Sequence, residues 1–328
     1  MNHTLKVVFL QLLALYCIKI SCSDVNQLSN SAKQSDLYFT INKIHKKRIS
    51  EIKCEEYELI TRQLKTSEQC DHCVSFLMAH GQYARKNEFP HMAAVGWLQD
   101  KNSAIEYSCA GSLISDQWVL TAAHCTHNAM GFPKVVKLGS INLSNDSGEI
   151  ISIVKIIVHP EFKRPRLYHD IALLKLERGV EFKNNVKPGC LYRKFETAPD
   201  VVWATGWGSR RNGRFAFVII NELMIVKLQT IDNIKCTMAY GKTIAVPNGV
   251  SPSMICAGDT LNHWKSDTCK GDSGGPIQVY RNFDDSSLLF DIVGITSFGR
   301  SCATENIPGV YIRVSHYIDW IEEIVWLN

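Results

Sequence analysis

Short apolar or alternating runs recur from about residue 78 onward, and turn-forming residues separate them. Successive side chains of a strand point to opposite faces, so runs of this length and alternation each bury one face of a strand. The runs lie at residues 113–121, 134–138, 150–158, 171–176, 201–205, 222–228, 277–280 and 288–296. Many short strands predict an all-β sandwich or barrel. Only residues 317–327 repeat apolar side chains at helical spacing, which predicts a C-terminal amphipathic helix.

The first residues have the pattern of an export signal. An apolar run at residues 7–18 follows a lysine, and the small residues Ser21 and Ser23 come next. The run is shorter than the roughly 20 apolar residues that a membrane-crossing helix needs, and no later run reaches that length. We therefore predict a signal peptide at residues 1–23, a secreted extracellular protein, and no membrane as a partner.

Export changes how the twelve cysteines are interpreted. Cys17 and Cys22 fall within the predicted signal, and the ten that remain are an even set in an oxidising compartment, which predicts five disulfides. The sequons at Asn142 and Asn145 are predicted glycosylation sites, and an unused surface asparagine is the alternative for each. A net charge of +4 is mild for 328 residues and argues against a nucleic-acid partner.

Residues 24–77 are polar and lysine-rich, with few apolar anchors. We interpret them as a loosely ordered prosegment held by cysteines, with weak helical periodicity at residues 55–64. The basic run at residues 45–48 is interpreted as a solvated charge run, with a processing site or an anionic-surface contact as the alternative. The CDHC motif at residues 70–73 indicates disulfide cysteines. Half a zinc site or a redox pair is the alternative, but no second ligand pair is evident.

Three segments carry the residue types of nucleophilic catalysis. They are TAAHC at residues 121–125, HDIALL at residues 169–174 and GDSGGP at residues 271–276. A serine hydroxyl is a weak nucleophile until a neutral imidazole takes its proton, and a buried carboxylate holds that imidazole in the right tautomer. Ser273, His124 and Asp170 are the candidates for these roles. The N–H groups of Gly271 and Ser273 are candidates for an oxyanion hole, where one donor contributes about 10²–10³ in rate.

These motifs resemble those of the chymotrypsin/trypsin-fold serine proteases, in the same chain order. Within that family the sequence is most similar to the arthropod snake-type, clip-associated and venom proteases, through residues 54–57, 88–94, 168–170 and 253–258. The likeness covers essentially all of residues 78–328, and residues 24–77 lack the complete six-cysteine clip domain. It implies two packed antiparallel six-stranded β-barrels with the active site between them. It also implies a serine endopeptidase that cleaves protein substrates through an acyl-enzyme, with no cofactor and no metal.

The resemblance implies the substrate-binding residues as well. Asp267 falls where trypsin-like members have the carboxylate at the base of the specificity pocket, and an anion there favours arginine or lysine. A surface aspartate beside a disulfide is the alternative. The implied pocket walls are Ser297, Phe298, Gly299 and Gly309. A side chain at either glycine would fill the pocket, and Phe298 stands where most relatives have tryptophan.

The resemblance further implies disulfide pairs. Within the catalytic domain they are Cys109–Cys125, Cys236–Cys256 and Cys269–Cys302. In relatives the remaining cysteine, here Cys190, binds a prosegment cysteine, and spacing to the activation site favours Cys70. Elimination then pairs Cys54 with Cys73.

A zymogen is also implied, in which a newly cut N-terminal amine pairs with the aspartate before the nucleophile, here Asp272. The register places the cut between Leu77 and Met78, where the family usually has Ile-Val-Gly-Gly after the cut and this chain has Met-Ala-His-Gly. The apolar residue before the cut predicts an upstream activating protease with an apolar pocket. Serpin-type inhibitors are further expected partners, in a regulated cascade. The rival hypothesis is a non-catalytic protease homologue, which usually loses the serine that Ser273 retains.

Overall fold

The fold is taken from a computed structural model. It describes residues 47–66, 82–99, 104–145, 147–212, 216–219, 221–261, 264, 271–281, 289–299 and 306–327. Ile49–Asn328 pack as one compact unit, which contains every helix and strand of the described chain. Several predictions of the sequence lie outside the described residues: the signal peptide, Cys70, Cys73, Leu77, Met78, Asp267, Cys269 and Cys302.

Strands dominate the described chain, as the alternating runs predict. In chain order they are β1 (Gln82–Tyr83), β2 (Met92–Leu98), β3 (Ile105–Leu113), β4 (Trp118–Thr121), β5 (Val135–Leu138), β6 (Glu149–Val158), β7 (Ala172–Leu176), β8 (Cys190–Leu191), β9 (Val201–Gly206), β10 (Ser209–Asn212), β11 (Ala216–Ile219), β12 (Met224–Ile231), β13 (Met254–Gly258), β14 (Pro276–Tyr280), β15 (Phe290–Phe298) and β16 (Gly309–Arg313). The helices are α1 (Ile49–Thr66), α2 (Asn233–Tyr240) and α3 (Ile318–Glu322), with 3₁₀ turns at Ala123–Thr126 and Val314–His316 and a π-helical turn at Glu323–Leu327.

The strands close into two barrels. The first has the order β2-β3-β4-β7-β6-β5, and β5 pairs with β2 to close it. The second has the order β9-β12-β13-β16-β15-β14, and β14 pairs with β9 to close it. All of these pairs are antiparallel. The predicted pair of six-stranded antiparallel barrels is confirmed, and so is the C-terminal helix, which begins at Ile318 and ends in the π-helical turn.

Each barrel is filled by the inward side chains of its own strands. In the first, Leu113, Leu120, Val136, Leu138 and Leu174 are fully or almost fully buried. Full burial of one such side chain stabilises the fold by about 1.5–3 kcal/mol. The barrels therefore fix three strand ends beside which the catalytic motifs lie. His124 follows the end of β4, Asp170 precedes the start of β7, and Ser273 precedes the start of β14. Among the described residues, no helix is long and apolar enough to cross a membrane.

A buried polar chain connects the two barrels. His91, just before β2, lies against the amide oxygen of Gln278 on β14, and both side chains are almost fully buried. The Gln278 amide donates to the Thr205 hydroxyl at 3.0 Å, and this hydroxyl lies 3.0 Å from the sulfur of Met92. Burial is the main cause that lowers the pKa of His91 from 6.5 to about 4, because the charged ring would lose its hydration.

This histidine makes stability fall with acidification. The folded chain keeps His91 neutral down to a pKa of about 4, whereas the unfolded chain binds the proton near 6.5, so between these values the unfolded state holds the extra proton. Through this group alone, the free energy of unfolding should decrease by about 3 kcal/mol between pH 6.5 and pH 4. At pH 7 the stabilising contribution of His91 should be fully present. Urea unfolding at a series of pH values should give a shallower dependence for His91→Gln than for the parent protein. Equal slopes would contradict the assignment.

Helix α1 is the main departure from the expected fold, because it lies within the segment interpreted as a loosely ordered prosegment. Its buried residues are Ser50, Cys54, Tyr57 and Thr61, at the spacing of one helical face. The Tyr57 hydroxyl donates to the Ile114 carbonyl at 3.2 Å. Part of the segment interpreted as a prosegment is therefore a helix docked on the β-barrels.

Polar contacts hold the first three turns of α1. The backbone N–H and the hydroxyl of Ser50 both donate to Glu322 of α3, at 3.1 and 2.6 Å. Glu58 accepts from Arg281 at 2.6 Å, and Glu51 accepts from Arg193 at 2.8 Å. These contacts bind the N-terminal half of α1 to the C-terminal helix and to the second barrel.

The disulfides correct one prediction and agree with two. Cys109–Cys125 and Cys236–Cys256 are both formed. The predicted pairing of Cys190 with Cys70 is wrong, because Cys190 is bonded to Cys54, and the pairing of Cys54 with Cys73 fails with it. The physical reason is α1: its buried face carries Cys54 onto the start of β8, where Cys190 lies.

Candidate active site

The first barrel positions His124 and Asp170. His124 lies in the 3₁₀ turn after β4, and Asp170 precedes β7, the strand that pairs with β4. One carboxylate oxygen accepts from the His124 backbone N–H at 2.7 Å, and the other lies 2.7 Å from the ring Nδ1. The Asp170 side chain is fully buried and that of His124 is 23% exposed. The carboxylate thus fixes both the backbone and the ring of the histidine, and Nε2 is left as the second ring nitrogen.

Two further residues hold this pair, and neither has this role among the sequence predictions. The Ser297 hydroxyl donates to Asp170 Oδ2, although Ser297 was predicted only as a pocket wall. Arg164 Nη2 donates to the carbonyl oxygens of His124 and His127, at 2.7 and 3.1 Å. Both lie far from their partners in sequence, in segments with no motif of their own, so no local pattern could have identified them.

The second barrel delivers Ser273 to the same place. The N–H of Ala110, next to the Cys109–Cys125 disulfide, donates to the Ser273 carbonyl at 2.8 Å. Gly274 has a positive φ of 79°. A Cβ at Gly274 would overlap Thr121 and lie 3.2 Å from the backbone nitrogen of Ala122, two residues before His124. Glycine is therefore required after Ser273, since it lets the loop touch the segment that carries His124.

Gly271 and Asp272 complete this loop. Gly271 has a φ of 100°, and a Cβ there would lie 3.0 Å from the Trp207 carbonyl oxygen. The Asp272 carboxylate is packed against Gly206 and Gly208 and accepts from the Gly208 N–H at 2.8 Å. The loop conformation and the position of Asp272 therefore depend on each other.

The described walls of the predicted pocket lie at the ends of β15 and β16. Phe298 packs edge-on against Tyr240 at 5.6 Å. Gly299 is exposed, and a Cβ there would meet open space, whereas a Cβ at Gly309 would lie 2.9 Å from the Tyr311 hydroxyl. Gly309 thus has a packing constraint, while Gly299 borders open space. The base of the pocket, with Asp267, lies outside the described residues.

The predicted sequons lie away from this site, in the turn after β5. Asn145 is exposed and Asn142 is half-buried. The Asn142 side-chain oxygen accepts from the Ser144 N–H at 2.9 Å, and that of Asn145 accepts from the Ser147 N–H at 3.2 Å. Glycosylation of either asparagine stays a prediction.

Two six-stranded barrels that pack a serine loop against the segment before a histidine, itself bonded to a buried aspartate, define a serine protease fold. Comparison of the sequence with protein families gives a match to the family described as Trypsin over residues 78–321. The match covers most of the chain, and the chain belongs to the trypsin family.

Known relatives agree with this assignment. The chain is 39% identical over 292 residues to Serine protease snk of Drosophila melanogaster, covering 85% of this chain and 65% of that protein. It is 33% identical to Serine protease Hayan of the same species, covering 75% of this chain and 38% of that protein. It is 35% identical to Venom serine protease Bi-VSP of Bombus ignitus, covering 76% and 69%. The first two relatives are thus matched over less than two thirds of their length.

A solved structure gives the same fold. It is neuropsin, a serine protease expressed in the limbic system of mouse brain, with a TM-score of 0.60 and 29% identity. The match covers 74% of this chain and 97% of the neuropsin chain. The resemblance to arthropod serine proteases and the trypsin-like fold are both confirmed.

Proposed function

We propose that this chain is the secreted zymogen of a trypsin-like serine endopeptidase that cleaves protein substrates after arginine or lysine. The observation that carries the proposal is the buried Asp170 carboxylate bonded to His124, with the Ser273 loop packed against the segment before that histidine. A neutral imidazole held in this way is the base that a serine hydroxyl needs.

The catalytic residues divide the steps of the reaction between them. Ser273 Oγ attacks the scissile carbonyl carbon while His124 Nε2 takes its proton, and the N–H groups of Gly271 and Ser273 bind the resulting oxyanion. The intermediate collapses to acyl-Ser273, and the leaving amine departs with the proton from His124. Water then attacks the ester with His124 as base, which releases the carboxylic acid and restores the serine.

Arginine or lysine specificity rests on Asp267, with Phe298, Gly299 and Gly309 as the walls. Removing one partner of a buried ion pair costs about 3–5 kcal/mol, so Asp267→Ser should lower kcat/KM for an arginyl peptide about 10²–10³-fold. It should spare a leucyl peptide, and Asp200→Ser, an exposed control, should change neither. Unchanged discrimination between the two peptides would refute the specificity and leave the protease assignment intact.

Activation is proposed to follow a cut after Leu77, which frees the Met78 amine to pair with Asp272. Leucine fits poorly above a buried carboxylate, so the mature enzyme should activate its own zymogen slowly. A protease with an apolar pocket is the expected activator. Incubating zymogen with a trace of active enzyme, and separately with a chymotrypsin-like protease, tests this: a Met78 terminus and activity are expected in the second sample only.

The docked helix supports a regulated cascade over bulk digestion, because α1 stays on the enzyme after this cut. Serpin-type inhibitors, which react with the active serine, are then expected to regulate the enzyme. A non-catalytic homologue is the rival function. Titration of cleaved protein with a covalent serine-protease inhibitor separates the two, since a non-catalytic homologue would take up none.

The Cys54–Cys190 bond predicts how the activated protein migrates. Without reductant it should run as one species on a denaturing gel, and with reductant as two chains. Cys54→Ser should separate the chains without reductant, whereas Cys73→Ser, the matched control, should leave them joined. A species that stays joined in Cys54→Ser would mean that another prosegment cysteine forms the link.

A further inference from the structure

Beside the catalytic residues, three side chains with metal-binding atoms converge on one face of the first barrel. They are His159, Glu161 and His169, whose ligand atoms all lie within 4.8 Å of one another. The described residues contain two other such groups, but both consist largely of disulfide-bonded cysteines. The His–Glu–His cluster is therefore the one among them that contains no disulfide-bonded cysteine.

The two rings are held in place by aromatic neighbours. His159 and His169 stack with their centroids 5.1 Å apart and their planes 12° apart. Tyr317 packs edge-on against both, and Trp320 tilts against His159. These contacts keep the two rings next to each other, so a ligand that enters meets both.

The Nδ1 atoms of both rings lie beside hydrogen-bond partners near Glu161. The Glu161 N–H donates to His159 Nδ1 at 3.3 Å, and Glu161 Oε2 lies 3.8 Å from His169 Nδ1. The Tyr317 hydroxyl lies 3.0 Å from His169 Nδ1. A metal ion bound by the two Nδ1 atoms would take the place of these hydrogen bonds.

We propose that His159, Glu161 and His169 form a Zn²⁺ site, and that Zn²⁺ bound there lowers the protease activity. Two imidazoles and one carboxylate are a donor set that zinc accepts, with a fourth position for water. Ligand atoms on tetrahedral zinc lie about 3.3 Å apart, which follows from bonds of about 2.0–2.2 Å. The 3.8 Å between Glu161 and His169 is already near this value, and Glu161 is 69% exposed and able to move.

Glu161 supplies the negative charge that a divalent cation requires, and its carboxylate lies beside the ring of His169.

The connection to the active site is covalent and short. His169 precedes Asp170 and has a φ of 58°, and its carbonyl accepts from the Ile171 N–H at 2.8 Å. The N–H of His159 donates to the Ile171 carbonyl at 3.1 Å. Drawing the two histidines together on a metal therefore moves the turn that aims Asp170 at His124. A displacement of about 1 Å at a catalytic group lowers rates by as much as 10²-fold.

The binding half is tested on full-length zymogen that carries Ser273→Ala, which excludes self-cleavage and does not depend on the proposed function. Calorimetric titration of the metal-free protein should show one Zn²⁺ per chain, and Co²⁺ should give the visible spectrum of a four-coordinate site. Ca²⁺ and Mg²⁺, which prefer oxygen ligands, should not compete. Glu161→Gln should weaken Zn²⁺ binding by at least about 10–100-fold, the loss known for outer-shell changes at zinc sites.

His169→Asn is the second variant, because asparagine tolerates a positive φ and keeps the turn. Glu181→Gln, at an exposed carboxylate elsewhere on the chain, is the control and should bind Zn²⁺ like the parent. Thermal unfolding of each metal-free variant checks that it is folded. No binding, or binding that neither Glu161→Gln nor His169→Asn weakens, would overturn the site.

The regulatory half rests on the proposed protease function and uses activated enzyme with Ser273 intact. Zn²⁺ should lower kcat at least tenfold in the parent and in Glu181→Gln, and should have little effect on Glu161→Gln relative to its own rate without metal. Equal inhibition of Glu161→Gln would mean that the metal acts elsewhere, for example on His124. Binding without inhibition would overturn regulation alone, and an enzyme inactive without metal would count against the proposed function rather than the site.

Discussion

Ser273→Ala should abolish turnover of a peptide substrate while the protein stays folded. The hydroxyl is the nucleophile in the proposed mechanism, and loss of the nucleophile in such a triad lowers kcat by about 10⁶-fold. Thermal unfolding should be unchanged, because the loop is held by backbone contacts: Ser273 accepts from the Ala110 N–H through its carbonyl, and Gly274 N–H donates to Thr296. The measurement is kcat/KM on activated, purified protein.

A matched serine distinguishes this effect from a general one. Ser315 is a serine whose buried hydroxyl has no hydrogen-bond partner among the described residues, so Ser315→Ala should leave activity unchanged. Hydrolysis by pure Ser273→Ala within about a hundredfold of the parent would exclude Ser273 as the nucleophile.

Asp170→Asn should lower kcat by about 10⁴-fold with little change in structure, the magnitude known for this change in the trypsin family. The carboxylate accepts from the backbone N–H and faces the ring Nδ1 of His124, and an amide in its place favours the wrong tautomer. The Ser297 hydroxyl donates to the same carboxylate oxygen that faces Nδ1, so in Asp170→Asn it would meet the amide NH2 and would have to turn and accept from it.

Ser297→Ala provides the graded comparison. It removes one hydrogen bond to the Asp170 carboxylate and leaves the charge, so a loss of about 10–100-fold is expected from a bond of 1.5–3 kcal/mol. If Asp170→Asn retained activity within tenfold of the parent, the carboxylate would not be the group that orients the histidine.

Strands β4, β5, β6 and β7 could be predicted because their apolar or alternating runs stand out between turn residues. The runs alone leave a sandwich or a barrel open, and the two barrels are implied by the resemblance of the catalytic motifs. Helix α1 could not be predicted in the same way, because its buried face is made of Ser50, Cys54, Tyr57 and Thr61 instead of an aliphatic stripe. Docking and a disulfide stabilise it, and neither is visible in local periodicity.

In the candidate site, too, residues that lie in a motif could be predicted and residues from separate loops could not. His124, Asp170 and Ser273 lie in motifs whose neighbours serve them, as Gly274 does by allowing the close approach to Ala122. The supports of the site come from separate loops. Arg164 binds the His124 carbonyl from 40 residues away, and no motif marks the stretch in which it lies.

The docked helix determines where a shortened version of this protein can begin. A recombinant chain that starts at residue 78 would contain every catalytic residue, yet it would leave the Cys190 thiol without Cys54. It would also uncover Leu289 and Phe182, which pack with Tyr57 in the apolar cluster under the helix. Such a chain would present an oxidisable thiol on a bare apolar surface and would cross-link or precipitate. Material for crystallisation or inhibitor screening should therefore include Ile49–Thr66, supplied on the same chain or as a co-expressed peptide.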